Sequence, residues 1–345
     1  MYSVGLIGLG NNIAARYSTP SDPFPYCHAG GIRKCKLTNL VPVADMGEDR
    51  QTEFRQTWGP SFSDTNIGYY NNDVEMLKNE KLDIAAVCVR GPFHLSVMKN
   101  VLDSDIKIIF LEKPAGCSLQ EIDEMTAIAE EKGVPIVVDY SRHWAPHLIR
   151  LQNLVQNGLI GKVKTVIGYC SGTVLSFAIH STDMICQFAG YDPISVWAEV
   201  QDGTGSSHPE YEHEPAIVSS TIKFQSGIRG IHIGRHGRRD AFSVDVLDTK
   251  GTLTVGYSRG ITRLTDESGN VVDHNILNLP DNASVFKVAY QQVVDYLEGG
   301  PLPDCSRNSY MVVNEIGIST IESGKTGQLV NLPNLRRDRL VYANG

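Results

Sequence analysis

The run Ile106-Lys107-Ile108-Ile109-Phe110-Leu111 is apolar, rich in β-branched residues, and stops at Glu112-Lys113-Pro114. A run of this kind reads as a strand buried on both faces, as in a parallel sheet covered by helices. In open sheets of that class, ligands bind in the crevice outside the carboxyl ends of the strands. Lys113 therefore stands at the mouth of a crevice, and Pro114 narrows the backbone there and permits a cis bond. Read alone, it is a surface lysine closing a strand. Other segments that end at the same edge turn the reading toward chemistry.

Tyr2–Ile7 is a short apolar strand, followed by Gly8-Leu9-Gly10-Asn11-Asn12-Ile13-Ala14-Ala15, a glycine turn opening a helix. The first glycine permits the tight turn, and the second lets a pyrophosphate approach backbone N–H groups. Ile13 occupies the third glycine position of the dinucleotide fingerprint, which is thus incomplete. A second strand, Leu37–Ala44, ends in Asp45, where a carboxylate holds the adenine ribose hydroxyls and repels a 2′-phosphate, favouring NAD over NADP. The spacing from Gly8 to Asp45 exceeds the usual ~20 residues, and the excess, Tyr17–Gly31, is rich in proline, serine and glycine and reads as an inserted loop.

Strand and helix then alternate. A helix over Asp73–Asn79 precedes a buried strand, Leu82–Val89, that ends at Arg90-Gly91-Pro92-Phe93-His94. His94 either caps the next helix, His94–Leu102, or lies near the nicotinamide half of the crevice. After the Lys113 strand come a helix, Leu119–Lys132, and a strand, Val134–Val138, closing at Asp139-Tyr140-Ser141. This order predicts a doubly wound parallel sheet, a Rossmann dinucleotide-binding domain over residues 1–140.

A length of 345 residues suits two domains, and 41% hydrophobic with 20% charged residues is ordinary for a soluble globular protein. A net charge of -8 without a long lysine or arginine block argues against nucleic acid as a partner. The start, Met1-Tyr2-Ser3-Val4, has no basic leader, and no uncharged run reaches membrane-spanning length, so the expected location is the cytoplasm. Seven scattered cysteines without a Cys-x-x-Cys pair read as reduced thiols. Cys27, His28 and Cys35 lack an evident fourth ligand and regular spacing, so no metal site is expected.

Residues 141–345 read as an α+β domain. Trp144–Asn157 is an amphipathic helix, Lys162–Ser171 begins a new set of strands, and 195–200, Ala216–Phe224, Gly230–Gly234 and Ser243–Asp248 alternate as a sheet with one covered face does. Helices are expected over Val285–Gly299 and Ser309–Lys325. On a helix, His180 and Asp183 are three apart and share a face, so the carboxylate can hold the imidazole or a substrate hydroxyl. Two loops, Asp202–Pro215 and the basic Arg235-His236-Gly237-Arg238-Arg239-Asp240, are given no catalytic role.

The Gly8-Leu9-Gly10 turn, Asp45, Glu112-Lys113-Pro114 and the Ser141-Arg142-His143-Trp144-Ala145-Pro146 segment resemble the Gfo/Idh/MocA family of sugar and polyol oxidoreductases. Leu159-Ile160-Gly161-Lys162-Val163, His180-Ser181-Thr182-Asp183, Gly251-Thr252-Leu253 and Leu297-Glu298-Gly299-Gly300 extend the resemblance over nearly the whole chain. It implies a Rossmann domain joined to an open, largely antiparallel mixed sheet that commonly makes dimer or tetramer contacts. It implies NAD-dependent, reversible oxidation of a secondary hydroxyl of a sugar, sugar derivative or cyclic polyol. Lys113, His180 and Asp183 are the implied catalytic set. Gly8, Gly10, Asn11, Asn12, Ile13, Asp45, Arg90, Pro92, His94, Glu112 and Lys113 are implied for the dinucleotide. Lys113, Arg142, Trp144, Ser176, His180 and Asp183 are implied for the substrate. The commonest family form has an aspartate four residues before the histidine, where this chain has Ser176. Two alternatives follow: a redox-neutral glycosidase that uses held NAD, and a dinucleotide-binding regulatory protein without turnover.

Overall fold

The computed structural model describes residues 1–62, 66–203, 208–234, 242–257 and 262–343. The basic segment Arg235–Asp240 lies outside them. In chain order the first elements are β1 (Tyr2–Ile7), α1 (Asn12–Ala15), α2 (His28–Lys34), β2 (Thr38–Ala44), α3 (Glu48–Thr57) and β3 (Gly68–Tyr70). Then follow α4 (Asp73–Asn79), β4 (Ile84–Val87), α5 (His94–Leu102), β5 (Ile108–Leu111), α6 (Leu119–Lys132) and β6 (Ile136–Val138). Next come α7 (Pro146–Gln156), β7 (Thr165–Tyr169), α8 (Ile179–Ala189), β8 (Pro193–Gln201), β9 (Glu212–His213), β10 (Ala216–Phe224) and β11 (Arg229–Ile233). The remainder is β12 (Ser243–Asp248), β13 (Gly251–Gly256), β14 (Arg263–Asp266), α9 (Val285–Leu297), α10 (Arg307–Thr326), β15 (Val330–Asn331) and β16 (Val341–Tyr342).

Two compact units result, one from Met1–Trp144 with Ala283–Tyr310, the other from Ala145–Asn282 with Met311–Ala343. In the first, six parallel strands run in the order β3-β2-β1-β4-β5-β6. Every residue of β4, β5 and β6 is buried, as the unbroken apolar runs require of strands covered on both faces. Local signals set the helix ends. Ser118 caps α6 by accepting from Glu121 N–H at 3.1 Å, and Gly133 ends it in the left-handed region at φ 67°. Asn72 caps α4 in the same way, at 2.8 Å from Glu75 N–H.

The expected loop over Tyr17–Gly31 ends sooner than its composition suggests, because residues 28–31 form the first turn of α2. A glycine pair lowers helix propensity, but here tertiary packing overrides it. A Cβ on Gly31 would come within 2.6 Å of the Phe286 side chain, so α2 lies close against α9 only because this position has none. Pro25 carbonyl accepts from Ser284 Oγ at 2.5 Å, and the Tyr26 hydroxyl shares a 2.6 Å hydrogen bond with Ser141 Oγ. The insertion thus folds back onto its own unit.

The second unit is built on an eight-stranded sheet, β14-β13-β12-β7-β11-β10-β8-β15, with one parallel pair, β7 and β11, among antiparallel neighbours. Alternate residues of β7, β11 and β13 are buried. The buried face receives α8, whose every residue is buried, the polar His180, Ser181, Thr182, Asp183 and Gln187 included. Across the other face, Trp197, Thr221, Ile231, Ile167 and Asp245 stand in register on successive strands, and Trp197 is 45% exposed. Among the described residues no helix is long and apolar enough to cross a membrane.

Candidate active site

The carboxyl ends of β1, β2, β4, β5 and β6 share one edge of the first sheet, and most of the residues marked from sequence lie there. Gly8 adopts φ 91°, and its N–H donates to the Ala44 carbonyl at 2.8 Å, which joins the turn to the end of β2. Asp45 is buried; it accepts from Leu9 N–H at 2.6 Å, Gly47 N–H at 2.7 Å and Arg50 Nε at 2.8 Å. Arg50 was not marked from sequence; its charge now stands beside the carboxylate expected to choose between the two dinucleotides. Asn11 caps the four-residue α1 by accepting from Ile13 N–H at 3.4 Å, Ile13 is buried, and Asn12 is exposed. A Cβ on Gly10 would meet only the flexible Arg50 side chain, at 3.7 Å. The turn therefore presents open backbone where a pyrophosphate would lie, and the residues present fit a dinucleotide.

At the next strand ends, Arg90 is exposed and Pro92 half-buried in a short 3-10 turn, while His94 is wholly buried. Its ring lies 2.9 Å from the Val89 carbonyl through Nε2 and 3.3 Å from the Ala115 carbonyl through Nδ1, and burial lowers its proton affinity. His94 thus braces the ends of β4 and β5 against each other. Lys113 is half-buried, and its peptide bond to Pro114 is cis. Its N–H donates to Glu112 Oε2 at 3.3 Å.

Glu112 belongs to a buried polar cluster. His28 Nε2 lies 2.9 Å from Glu112 Oε1, His28 Nδ1 lies 2.9 Å from Tyr290 hydroxyl, and a carboxyl oxygen of Asp139 lies within 4.8 Å of both His28 and Glu112. His28, excluded as a zinc ligand by its spacing, has both nitrogens committed here. Arg142 is half-buried, donates to Ser141 Oγ at 3.3 Å and stands over the Tyr26 ring at 5.9 Å. Trp144 is buried with its edge on Phe110 and its indole N–H donating to Gln292 Oε1 at 3.2 Å.

The second unit carries the other marked residues. His180 and Asp183 are buried in the first turns of α8, three apart and on one face, and the Phe242 ring meets His180 edge-on at 5.8 Å. A π-helical turn, Val174–Ala178, leads into that helix and carries Ser176. The loop that received no role supplies a carboxylate there. Glu214, 4% exposed, accepts from Ser176 Oγ at 2.5 Å and Ser176 N–H at 2.7 Å, and from Leu175 N–H at 2.5 Å. Sequence reading missed it because it is 38 positions away from Ser176. Glu214→Gln keeps one acceptor oxygen for the two backbone N–H groups but removes the charge and puts an amide N–H₂ against Ser176 Oγ, and we expect a loss of about 2 kcal/mol in stability by urea denaturation. Ser176→Ala removes one hydrogen bond and is expected to cost about 1 kcal/mol.

Residues 2–140 match the family described as "Oxidoreductase family, NAD-binding Rossmann fold". The chain is 25% identical over 261 residues to the uncharacterized oxidoreductase YrbE of Bacillus subtilis, covering 68% of this chain and 73% of that protein. It is 24% identical over 290 residues to myo-inositol 2-dehydrogenase of Thermotoga maritima, covering 77% and 79%. Among solved structures, an Agrobacterium radiobacter oxidoreductase in complex with NAD+, L-tartaric acid and magnesium superimposes with a TM-score of 0.76 at 16% identity, covering 96% of this chain and 98% of that one.

Proposed function

From the match of residues 2–140 to the Gfo/Idh/MocA family of NAD-binding oxidoreductases, we propose that the chain reversibly oxidises a secondary hydroxyl of a sugar, sugar derivative or cyclic polyol with NAD. NAD, when bound, takes up the hydride and thereby supplies the redox chemistry. The observation that carries the reading is the edge where the Gly8 turn, Asp45 and Glu112-Lys113-Pro114 converge. Gly8, Gly10, Asn11, Asn12, Ile13 and Asp45 hold the dinucleotide, with Arg90, Pro92, His94 and Glu112 shaping the nicotinamide end. We assign NAD binding to residues 1–140 and substrate binding and oligomerisation to residues 141–345, of which 141–144 and Ala283–Tyr310 pack into the first compact unit.

His180 takes the hydroxyl proton, Lys113 hydrogen-bonds the same oxygen or itself acts as base, and Asp183 orients His180 or a second hydroxyl. Arg142, Trp144 and Ser176 complete the substrate wall. Glu214, through Ser176, supplies the carboxylate that an aspartate at position 176 would have provided. The open sheet face around Trp197 serves a homodimer or homotetramer, and the seven buried, unbridged cysteines suit the cytoplasm.

The test is NADH formation followed by absorbance across free hexoses, inositols, sugar acids and glycosides, with NADP in parallel because Arg50 pairs with Asp45. A signal with one substrate group and NAD is expected. Aglycone release without net NADH would replace this reading with the redox-neutral glycosidase. Binding of NAD with silence across the panel would replace it with the regulatory protein.

A further inference from the structure

The cluster behind Lys113 holds more ionisable groups than positioning a strand end requires. His28, Glu112 and Asp139 bring an imidazole nitrogen and two carboxylate oxygens within 4.8 Å of one another, and each residue is at most 1% exposed. Two carboxyl groups this close and this deeply buried cannot both be ionised without strong repulsion, so the pair favours taking up a proton. One oxygen of Asp139, Oδ1, is buried without a hydrogen-bond partner among the described residues.

The neighbours fix the direction of the chain. A carboxylate oxygen of Glu112 accepts, so Nε2–H of a neutral His28 donates to it and Nδ1 accepts from the Tyr290 hydroxyl. Burial acts the same way on each member. It lowers His28 to about 4, raises Glu112, and drives Asp139 and Tyr290 well above their ordinary values. The groups facing the pair are His28 from α2, Cys88 after β4, Lys113 and Arg142 after β5 and β6, and Tyr290 from α9, with Cys27, which caps α2, acting on Cys88 and Tyr290. Burial also pushes Cys27 up to about 12 and Cys88 well above its ordinary value, so both thiols are neutral. The charges acting on the pair are then the cations of Lys113 and Arg142. Lys113 N–H is also fastened to Glu112 Oε2.

We propose that Glu112 and Asp139 hold one proton between them at neutral pH, and that the remaining negative charge, braced by His28 and Tyr290, positions Lys113 and sets the pH at which it works. The last clause rests on the assignment of Lys113 under the proposed function; the shared proton does not. A doubly ionised pair would hold the ammonium of Lys113 as a lasting ion-pair partner. A neutral pair would leave that ammonium without a counter-charge from this side.

The first test needs no variant and no substrate. Carbon-13 NMR of wild-type protein labelled at its aspartate and glutamate carboxyls should keep a protonated carboxyl resonance at about pH 8, where exposed carboxyls are ionised. Asp139→Asn should abolish that resonance. A spectrum with every carboxyl ionised would overturn the shared proton. So would one equivalent of tightly held divalent metal found by elemental analysis, since a cation would then occupy the proton's place. The second test is the acid limb of kcat/KM against pH. Asp139→Asn leaves one negative charge on Glu112 and should leave the limb in place. Glu112→Gln with Asp139→Asn removes that charge and should move the limb about one pH unit lower, because an ammonium that loses a nearby anion gives up its proton more readily. An unmoved limb in the double variant would overturn the positioning role, whereas a purely structural pair would change rate and stability without moving the limb. Should Lys113 prove dispensable for turnover, the proposed function fails while the labelled resonance still decides the proton.

Discussion

Lys113→Met is expected to lower turnover about 1,000-fold while NAD binds within about twofold of wild type, a loss in the range attributed to positioned acid–base groups. Methionine retains most of the length of the side chain and its apolar stem but removes the ammonium, so it tests the charge and the proton more than the packing. The half-buried setting of Lys113 and the fixed backbone around it support this choice. Steady-state kinetics with the best substrate of the panel, together with calorimetric titration of NAD, separate the two effects. An essentially unchanged rate would remove Lys113 from the chemistry and leave it a residue that closes a strand.

Gly8→Ala should be strongly damaging, because it combines backbone strain with a clash. Gly8 sits at φ 91°, where an L side chain costs about 1–2 kcal/mol, and its Cβ would come within 2.7 Å of Val89 N and 2.9 Å of Cys88 C. Those atoms are backbone at the end of β4, and His94 holds the Val89 carbonyl, so the neighbour has little room to move. We expect a total of about 3 kcal/mol of lost stability by urea denaturation, combining backbone strain with overpacking. NAD affinity should fall more than about tenfold, since the turn cannot keep its shape. Gly10→Ala is the contrast. With only Arg50 at 3.7 Å, it should fold within about 0.5 kcal/mol of wild type yet still weaken NAD binding, because the methyl fills the side open to the pyrophosphate. Equal stability losses for the two variants would show that the turn serves packing and not a ligand.

What was legible in the sequence was whatever a local pattern encodes. The helices Asp73–Asn79, His94–Leu102 and Leu119–Lys132 have the bounds that their caps and apolar spacing predict, and β10 and β12 follow from alternation. The doubly wound order followed from the strand and helix alternation. Helix α3 escaped notice because EDRQTEFRQT carries no apolar stripe, with only Gln51 and Phe54 buried. Helix α2 read as loop because its glycines weaken the signal, and its order comes from α9, distant in the chain. The same reason hid the polar residues that complete the candidate site. His28 and Tyr290 are 262 positions apart, and Leu175 and Glu214 are 39. Single positions such as Lys113 and His180 stand out by type and setting; a hydrogen-bonded pair formed across the fold has no sequence period.

The Tyr290–His28–Glu112–Asp139 chain also governs how folding exchanges protons with solvent. At about pH 5 the unfolded imidazole carries a proton and the unfolded carboxyls have mostly lost theirs. In the folded chain, the imidazole has given its proton up and the carboxyl pair holds one. The two states bind nearly the same number, so the cluster contributes little slope to stability from about pH 5 to pH 6, and the slope grows as the unfolded imidazole titrates through about pH 6.5. Above about pH 7.5 the unfolded imidazole is neutral too, while the folded pair keeps its proton. The folded state then binds one proton more, and stability declines by about 1.4 kcal/mol for each further pH unit until the pair ionises. A proton that changes owner within the core therefore makes the mildly acidic range a plateau and the alkaline side a descent.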